Sequence, residues 1–179
     1  MNVLLAVSGG IAAYKACELC SVLVKEDHSV RVMMTKNASN FIGKISFEGL
    51  TNNAVVLDSF DYSYSAMEHI DLPKWCDVMV IVPCSMNLLT KITVGLCDDI
   101  VSTSVAALPL NTPLVIAPAM NTNMWNSPAN QRNLELLNNS PRYTIVSPVN
   151  KRLACGDIGM GGLADLSDIV GIIRNVCLP

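Results

Sequence analysis

Charged side chains are scarce in this sequence: Asp, Glu, Lys and Arg together make up only 15% of its 179 residues. The formal net charge is −3 at pH 7, the pI is about 5.2, and the twelve basic residues form no run longer than Lys151-Arg152. Proteins that bind nucleic acid concentrate positive charge on one face or in one segment. The sequence therefore argues against nucleic acid as a partner.

Long apolar runs are also missing, since none approaches the roughly 20 residues that a helix needs to cross a bilayer. The opening MNVLLAVSGG has neither the basic n-region nor the cleavage site of a secretory signal. We therefore expect a cytoplasmic protein without a membrane partner.

Cysteine is present, but in the odd number of seven and scattered through apolar segments, so no disulfide framework is predicted. Cys17 and Cys20 have CxxC spacing, yet they lie in a helical pattern without a second pair or a nearby histidine, so we predict no metal site. Most cysteines are expected to be small buried hydrophobes, inside apolar elements or at strand ends. Cys155 is the exception, because it lies in a glycine-rich stretch.

Apolar residues, by contrast, make up 51% of the sequence, which is above the usual content of soluble domains. A chain of this length fits one domain and buries roughly 70% of its unfolded surface. A large interface shared with other chains would explain the excess.

Strand and helix patterns alternate along the chain, and runs such as VMVIV and PLVIA are apolar on both faces, as parallel strands between two helical layers require. The predicted strands are Asn2–Val7, Ser29–Met34, Val55–Leu57, Val78–Val82, Leu114–Ala117 and Tyr143–Val146. The predicted helices are one with apolar positions 12, 16, 19 and 23, then Met86–Thr93, Ile100–Ala107, Ala129–Leu137 and Leu166–Val176. The sequence therefore predicts one α/β domain over residues 1–179, built on an open, doubly wound, Rossmann-like parallel sheet.

The segment 148–165 differs from the rest, because it carries Gly156, Gly159, Gly161 and Gly162 with little periodicity. Such a stretch is either a surface connection or a mobile flap.

Ligands of open α/β sheets bind beyond the carboxyl ends of the strands, where the strand order reverses. The first strand leads into Ser8-Gly9-Gly10-Ile11 at a helix start, where free N–H groups favour an anion. This turn lacks the GxGxxG pattern, and no acidic residue ends the second strand, so a dinucleotide is disfavoured. Ser85 and Asn87 follow a later strand and form a second turn that is suited to a phosphate. Two such turns favour a mononucleotide as the cofactor.

Only two histidines are present. His28 is expected at a solvated turn, whereas His69 precedes a short amphipathic segment and is either structural or catalytic. The motif PAMNTNMW, after the strand that ends at Ala117, also has two interpretations. Asn121 and Asn123 form either a plain turn over packed apolar groups or part of a site.

Five motifs carry a family resemblance: SGGIAAYK, HIDLPKW, PCSMN with GLCDD, PAMNTNMW and KRLACGD, in this order and spacing. Together they resemble the FMN-dependent cysteine decarboxylases, and within that family the phosphopantothenoylcysteine decarboxylases of coenzyme A synthesis. The resemblance runs from residue 2 to about residue 170. PAMNTNMW and ACGD are specific, whereas the glycine turn alone is not.

The resemblance implies FMN as the cofactor, held by Gly9, Gly10, Ile11, Thr35, Ser85, Met86, Asn87, Leu88 and Ala119. It implies His69 and Cys155 as catalytic residues, the cysteine as proton donor. It implies phosphopantothenoylcysteine as the substrate, contacted by Asn121, Arg152, Ala154 and Leu163, with residues 148–165 as the covering flap. It also implies a homotrimer with FMN at the subunit interface, in which His69 acts on a flavin held by a neighbour. Cys84 and Met86 stand where the family usually has alanine, which alters the local packing.

The implied chemistry suits these residue types. A cysteine carboxylate has no electron sink, so oxidation to a thioaldehyde comes first, and loss of CO2 then leaves an enethiolate. A histidine suits the base near the thiol, and an amide orients the carboxylate without a charge that opposes CO2 loss. A cysteine on a closing flap can supply the final proton while water is excluded.

Three other functions share this architecture: a peptidyl-cysteine decarboxylase that releases the enethiol, a flavin prenyltransferase, and a non-catalytic regulatory subunit. The first has no need of Cys155 as a donor, and the second is not expected to combine HIDLPKW with ACGD. The third typically has long acidic extensions or a lost catalytic residue, and this sequence has neither.

Overall fold

The computed structural model describes residues 1–57 and 67–176 of the chain. Its centre is a parallel sheet of five strands in the order β2-β1-β3-β4-β5. These strands are β1 Asn2–Val7, β2 Ser29–Met34, β3 Val78–Cys84, β4 Leu114–Pro118 and β5 Tyr143–Ile145. β3 and β4 are buried at every position, as their apolar sequences predict.

Helices cover both faces of the sheet. They are α1 Ala13–Lys25, α2 Lys44–Thr51, α3 Glu68–Trp75, α4 Met86–Val94, α5 Ile100–Ala107, α6 Thr122–Asn126, α7 Pro128–Asn138 and α8 Leu166–Val176, with a 3₁₀ turn at Lys36–Asn40. Successive strand residues face opposite sides, so Leu4 packs with α4 and α5 while Leu5 packs with α1 and α8. The doubly wound α/β fold is therefore confirmed. In the described ranges, no helix has both the length and the hydropathy to span a membrane.

The strand order reverses at β1, which lies between β2 and β3, so the loops that follow β1 and β3 leave the sheet side by side. Buried Ser8 ties these loops together: its hydroxyl donates to the Pro83 carbonyl (2.8 Å) and accepts from the Ser85 N–H (2.8 Å). These two hydrogen bonds fix the loops after β1 and β3 relative to each other at the carboxyl edge of the sheet.

The prediction of a third strand at Val55–Leu57 is wrong. Only Val56 pairs with the sheet, as an isolated bridge to Met33 at the outer edge of β2. Its N–H donates to Val32 and its carbonyl accepts from Met34 (3.1 and 2.9 Å).

The segment 148–165 is more ordered than its composition suggests. It contains an antiparallel hairpin of β6 Val149–Arg152 and β7 Ile158–Gly162. The hairpin is fastened to the loop after β4, because Met120 N–H donates to the Gly161 carbonyl (2.8 Å). A side chain at Gly161 would collide with the Met120 carbonyl, and the φ of +126° also favours glycine. The structure thus explains one glycine of this segment by close packing.

The turn predicted around Asn121 and Asn123 is the start of a short helix, α6, with Asn121 as its N-cap. The Asn121 Oδ1 accepts the Asn123 N–H (2.8 Å), which orients the rest of the amide.

The described cysteines are all free, and Cys20, Cys76 and Cys84 are buried as expected. Burial raises the pKa of the Cys20 and Cys76 thiols to about 12, so neither acts as an acid near neutral pH. Cys97 contradicts the prediction that only Cys155 lies outside apolar elements: it is exposed just after the left-handed Gly95 that ends α4. Cys177 lies outside the described residues.

Candidate active site

A cavity of ≈ 560 Å³ opens at the carboxyl edge of the sheet. The loops after β1, β3 and β4 and the β6–β7 hairpin line it. The residues predicted from sequence that line it are Gly9, Gly10, Ile11, Ser85, Met86, Ala119, Asn121, Arg152, Ala154, Cys155 and Leu163. Four separate segments of the chain therefore meet around one space.

Four predicted residues lie outside this lining: His69, Thr35, Asn87 and Leu88. Leu88 is only 1% exposed and packs into the core. Thr35 precedes the 3₁₀ turn, and its N–H donates to the Val7 carbonyl (3.0 Å). Asn87 is exposed on α4.

The glycine turn after β1 presents an open helix start to the cavity. Helix α1 begins without a side-chain cap, and nothing lies within 4 Å of a β-carbon built on Gly10. A β-carbon on Gly9 would instead collide with Asn37, so only glycine lets the 3₁₀ turn approach this closely. Uncapped N–H groups at a helix start are suited to an anion such as a phosphate.

The start of α4 forms the second wall. Ser85 caps this helix, with its hydroxyl accepting the Leu88 N–H (3.4 Å), and Met86 lines the cavity beside it. Cys84 points away into the core and is fully buried, which raises the pKa of its thiol. A cysteine at this position therefore affects the packing under the site and not the lining.

Asn121 and Cys155, predicted as substrate ligand and proton donor, contact each other in the cavity. The Asn121 Nδ2 donates to the Cys155 Sγ (3.4 Å). The Cys155 thiol in turn donates to the Asp157 carboxylate (3.3 Å). Sequence reasoning missed Asp157, although the ACGD motif places it only two residues after the cysteine. The arrangement holds a thiol between an amide and a carboxylate.

Sequence reasoning also missed several lining residues. Lys15 reaches the cavity from α1, and Lys151 from β6. Tyr14 and Met124 add apolar surface at its rim, where they are 51% and 43% exposed. The helical spacing of α1 places Tyr14 and Lys15 away from its core positions, which is the signal that could have indicated them.

His69 is half-buried on α3, at the second residue of the helix. Its Nδ1 is buried and has no hydrogen-bond partner in the described part of the chain. His69 does not line the cavity of its own chain. Within residues 1–57 and 67–176, no group of histidine, cysteine and acidic side chains is arranged to hold a metal ion.

The chain is similar to known proteins over almost its whole length. The model of the family described as Flavoprotein matches residues 1–178. A probable phosphopantothenoylcysteine decarboxylase of Streptococcus mutans is 41% identical over 175 residues, covering 97% of this chain and 97% of that protein. The coenzyme A biosynthesis bifunctional protein CoaBC of Bacillus subtilis is 39% identical over 97% of this chain, and the match covers 42% of that protein. The chain thus spans less than half the length of the bifunctional relative.

A solved structure matches over almost its whole length. It is a cysteine-to-serine mutant of PPC decarboxylase complexed with pantothenoylaminoethenethiol. The TM-score is 0.86 at 39% sequence identity, and the match covers 97% of this chain and 96% of that chain.

Proposed function

Since the chain belongs to the Flavoprotein family, we propose that it is an FMN-dependent decarboxylase that converts 4'-phosphopantothenoylcysteine to 4'-phosphopantetheine in coenzyme A synthesis. The observation that carries the proposal is the hydrogen bond between Asn121 and Cys155 inside the cavity. It joins an amide suited to a carboxylate with a thiol suited to donate a proton. The relatives of similar length that carry this activity in their names support the same substrate.

The residues around the cavity fit FMN. The uncapped start of α1 at Gly9 and Gly10 suits its phosphate, and Ile11, Met86 and Ala119 offer apolar surface for its ring. Thr35, Asn87 and Leu88 stay in the proposal as more distant supports: Thr35 precedes the 3₁₀ turn, and the other two lie in the first turn of α4. When bound, FMN supplies an acceptor for the hydride that leaves the carbon bearing sulfur, and it returns that hydride at the end.

Asn121 orients the substrate carboxylate through its Nδ2, because its Oδ1 is already bound to the Asn123 N–H. A neutral amide suits this task, since a cationic partner would stabilise the carboxylate and oppose its departure as CO2. His69 accepts the thiol proton of the substrate during its oxidation to a thioaldehyde. CO2 then leaves from the thioaldehyde, and an enethiolate remains.

Cys155 donates the proton that completes the saturated product. Its thiol hydrogen is directed at Asp157 before the substrate binds, and the Asn121 amide holds the sulfur from the other side. A carboxylate at the substrate position competes for the same amide, so binding releases Cys155 toward the reacting carbon. The hairpin that carries Cys155, together with Arg152, Ala154 and Leu163, covers the substrate and excludes water.

We also propose that the chain works as a homotrimer with FMN between subunits. Two observations support this: His69 lies outside the cavity of its own chain, and the cavity rim exposes Ile11, Tyr14 and Met124. Exposed apolar groups around a site mark an interface that another chain covers. The 51% apolar content of the chain also supports a large interface with other subunits.

The decisive experiment combines cofactor and product analysis. Denatured protein should release FMN, and chromatography should find neither FAD nor NAD. The holoenzyme should turn 4'-phosphopantothenoylcysteine into saturated 4'-phosphopantetheine, as measured by mass spectrometry. An unsaturated enethiol as the sole product would favour a peptidyl-cysteine decarboxylase, and a bound dinucleotide would reject the assignment.

A further inference from the structure

The cavity concentrates positive charge in a chain that is negative overall. Among the described residues, Lys15, Lys151 and Arg152 line it, and no carboxylate does. The whole chain carries a formal charge of −3. Three cations on one cavity wall, with no carboxylate among the lining residues, repel one another, so this wall is suited to an anionic ligand.

Lys151 is held in place by packing and by a hydrogen bond. Its aliphatic stem lies across Gly162, where any β-carbon would collide with it. Its ammonium group donates to the Leu163 carbonyl. Lys15 lies close enough for its positive charge to act on the Lys151 ammonium group. Two cations from different elements, β6 and α1, are thus brought together at one point of the wall.

The proximity of Lys15 and Lys151 affects the pKa of Lys151. Burial lowers the pKa of Lys151, the positive charge of Lys15 lowers it further, and Asp165 acts in the opposite direction. Arg152 adds a third positive charge on the same strand. A divalent anion between the two lysines would remove this repulsion and restore the affinity of Lys151 for its proton.

The proposed reaction involves three anionic groups, and two of them have other partners. The start of α1 suits the phosphate of FMN, and the Asn121 amide suits the substrate carboxylate. Building on the proposed function, we infer that Lys15 and Lys151 form a subsite for the phosphate monoester of the substrate. The enzyme then discriminates 4'-phosphopantothenoylcysteine from the same molecule without phosphate.

Charge-deleting variants test the subsite. Lys15→Met and Lys151→Met keep an apolar stem and remove the ammonium group. We expect kcat/KM for the phosphorylated substrate to fall about 10- to 100-fold, as for loss of a hydrogen bond to a charged group. The value for pantothenoylcysteine should fall much less, because that substrate has no phosphate to lose. Lys151→Arg should retain most of the discrimination, and Lys44→Met, at a partly exposed lysine outside the cavity that is paired with Glu48, is the matched control.

Calorimetric binding of 4'-phosphopantetheine and of pantetheine to the purified holoprotein provides a readout that needs no catalysis. The wild type should prefer the phosphorylated ligand, and both methionine variants should lose that preference. Failure of decarboxylation with this preference intact would refute the proposed function and leave the subsite standing.

Three results would overturn the inference. An equal loss for both substrates would assign the lysines to the carboxylate. Loss of the preference for FMN over riboflavin would assign them to the cofactor phosphate. Equal wild-type binding of phosphorylated and unphosphorylated ligands would show that no phosphate subsite exists.

Discussion

Replacement of Cys155 by serine separates the two halves of the proposed reaction. The thiol is exposed, and it lies 3.4 Å from Asn121 Nδ2 and 3.3 Å from Asp157 Oδ2. A serine hydroxyl accepts and donates the same two hydrogen bonds. We therefore expect the free energy of unfolding to change by no more than about 0.5 kcal/mol, as at other surface positions.

The catalytic effect of Cys155→Ser should be far larger, because a hydroxyl is a much weaker acid than a thiol. A positioned general acid accelerates proton transfer by about 10²- to 10⁴-fold, so the final protonation should slow by a factor in that range. Oxidation and CO2 loss precede this step and should keep their rates. Because the hydride is not returned, each site should release about one CO2 without oxygen and then stop.

Anaerobic rapid-quench mixing with mass spectrometry measures both quantities. The expected product is an enethiol that lacks two hydrogens relative to 4'-phosphopantetheine. Cys97→Ser, at the other cysteine that is exposed in the described part of the chain, is the matched control and should turn over normally. Saturated product at an undiminished rate from Cys155→Ser would remove Cys155 from the mechanism.

Three further predictions follow from the geometry. If sites are shared between subunits, mixing two inactive variants, His69→Asn and Asn121→Asp, should restore activity. Co-refolded in equal amounts, they should regain about one quarter of wild-type activity, because each site takes its histidine and its asparagine from different chains independently. No recovery would place both residues in the site of one chain. Gly161→Ala should lower the free energy of unfolding by about 1–3 kcal/mol in denaturant titration, since its φ is +126° and the added carbon meets a backbone carbonyl. The control is Gly171→Ala, which adds a carbon in open space on α8 and should not destabilise the protein. Because the pKa of Lys151 is lowered, this lysine loses its proton at a lower pH than an ordinary lysine. KM for the phosphorylated substrate should therefore rise as the pH rises through the lowered pKa. A flat pH profile of KM, equal to that of Lys151→Arg, would contradict this role.

The sequence alone determined the sheet and the edge at which the cavity forms. Buried runs such as those of β3 and β4 are local signals, because strands covered on both faces must be apolar at every position. The glycine turn at Gly9 and the loops bearing Ser85 and Asn121 follow directly from where those strands end. Their convergence on one cavity could therefore be predicted from strand order rules alone.

Only the tertiary structure decided which groups touch. The hairpin of β6 and β7 has no alternating pattern to reveal it, and its pairing depends on contacts between Gly161 and the distant loop after β4. Asn121 beside Cys155, and Lys15 near Lys151, are contacts between distant segments of the chain that no local pattern encodes. Local apolar periodicity specifies which elements form, whereas contacts between polar side chains far apart in sequence depend on how those elements pack.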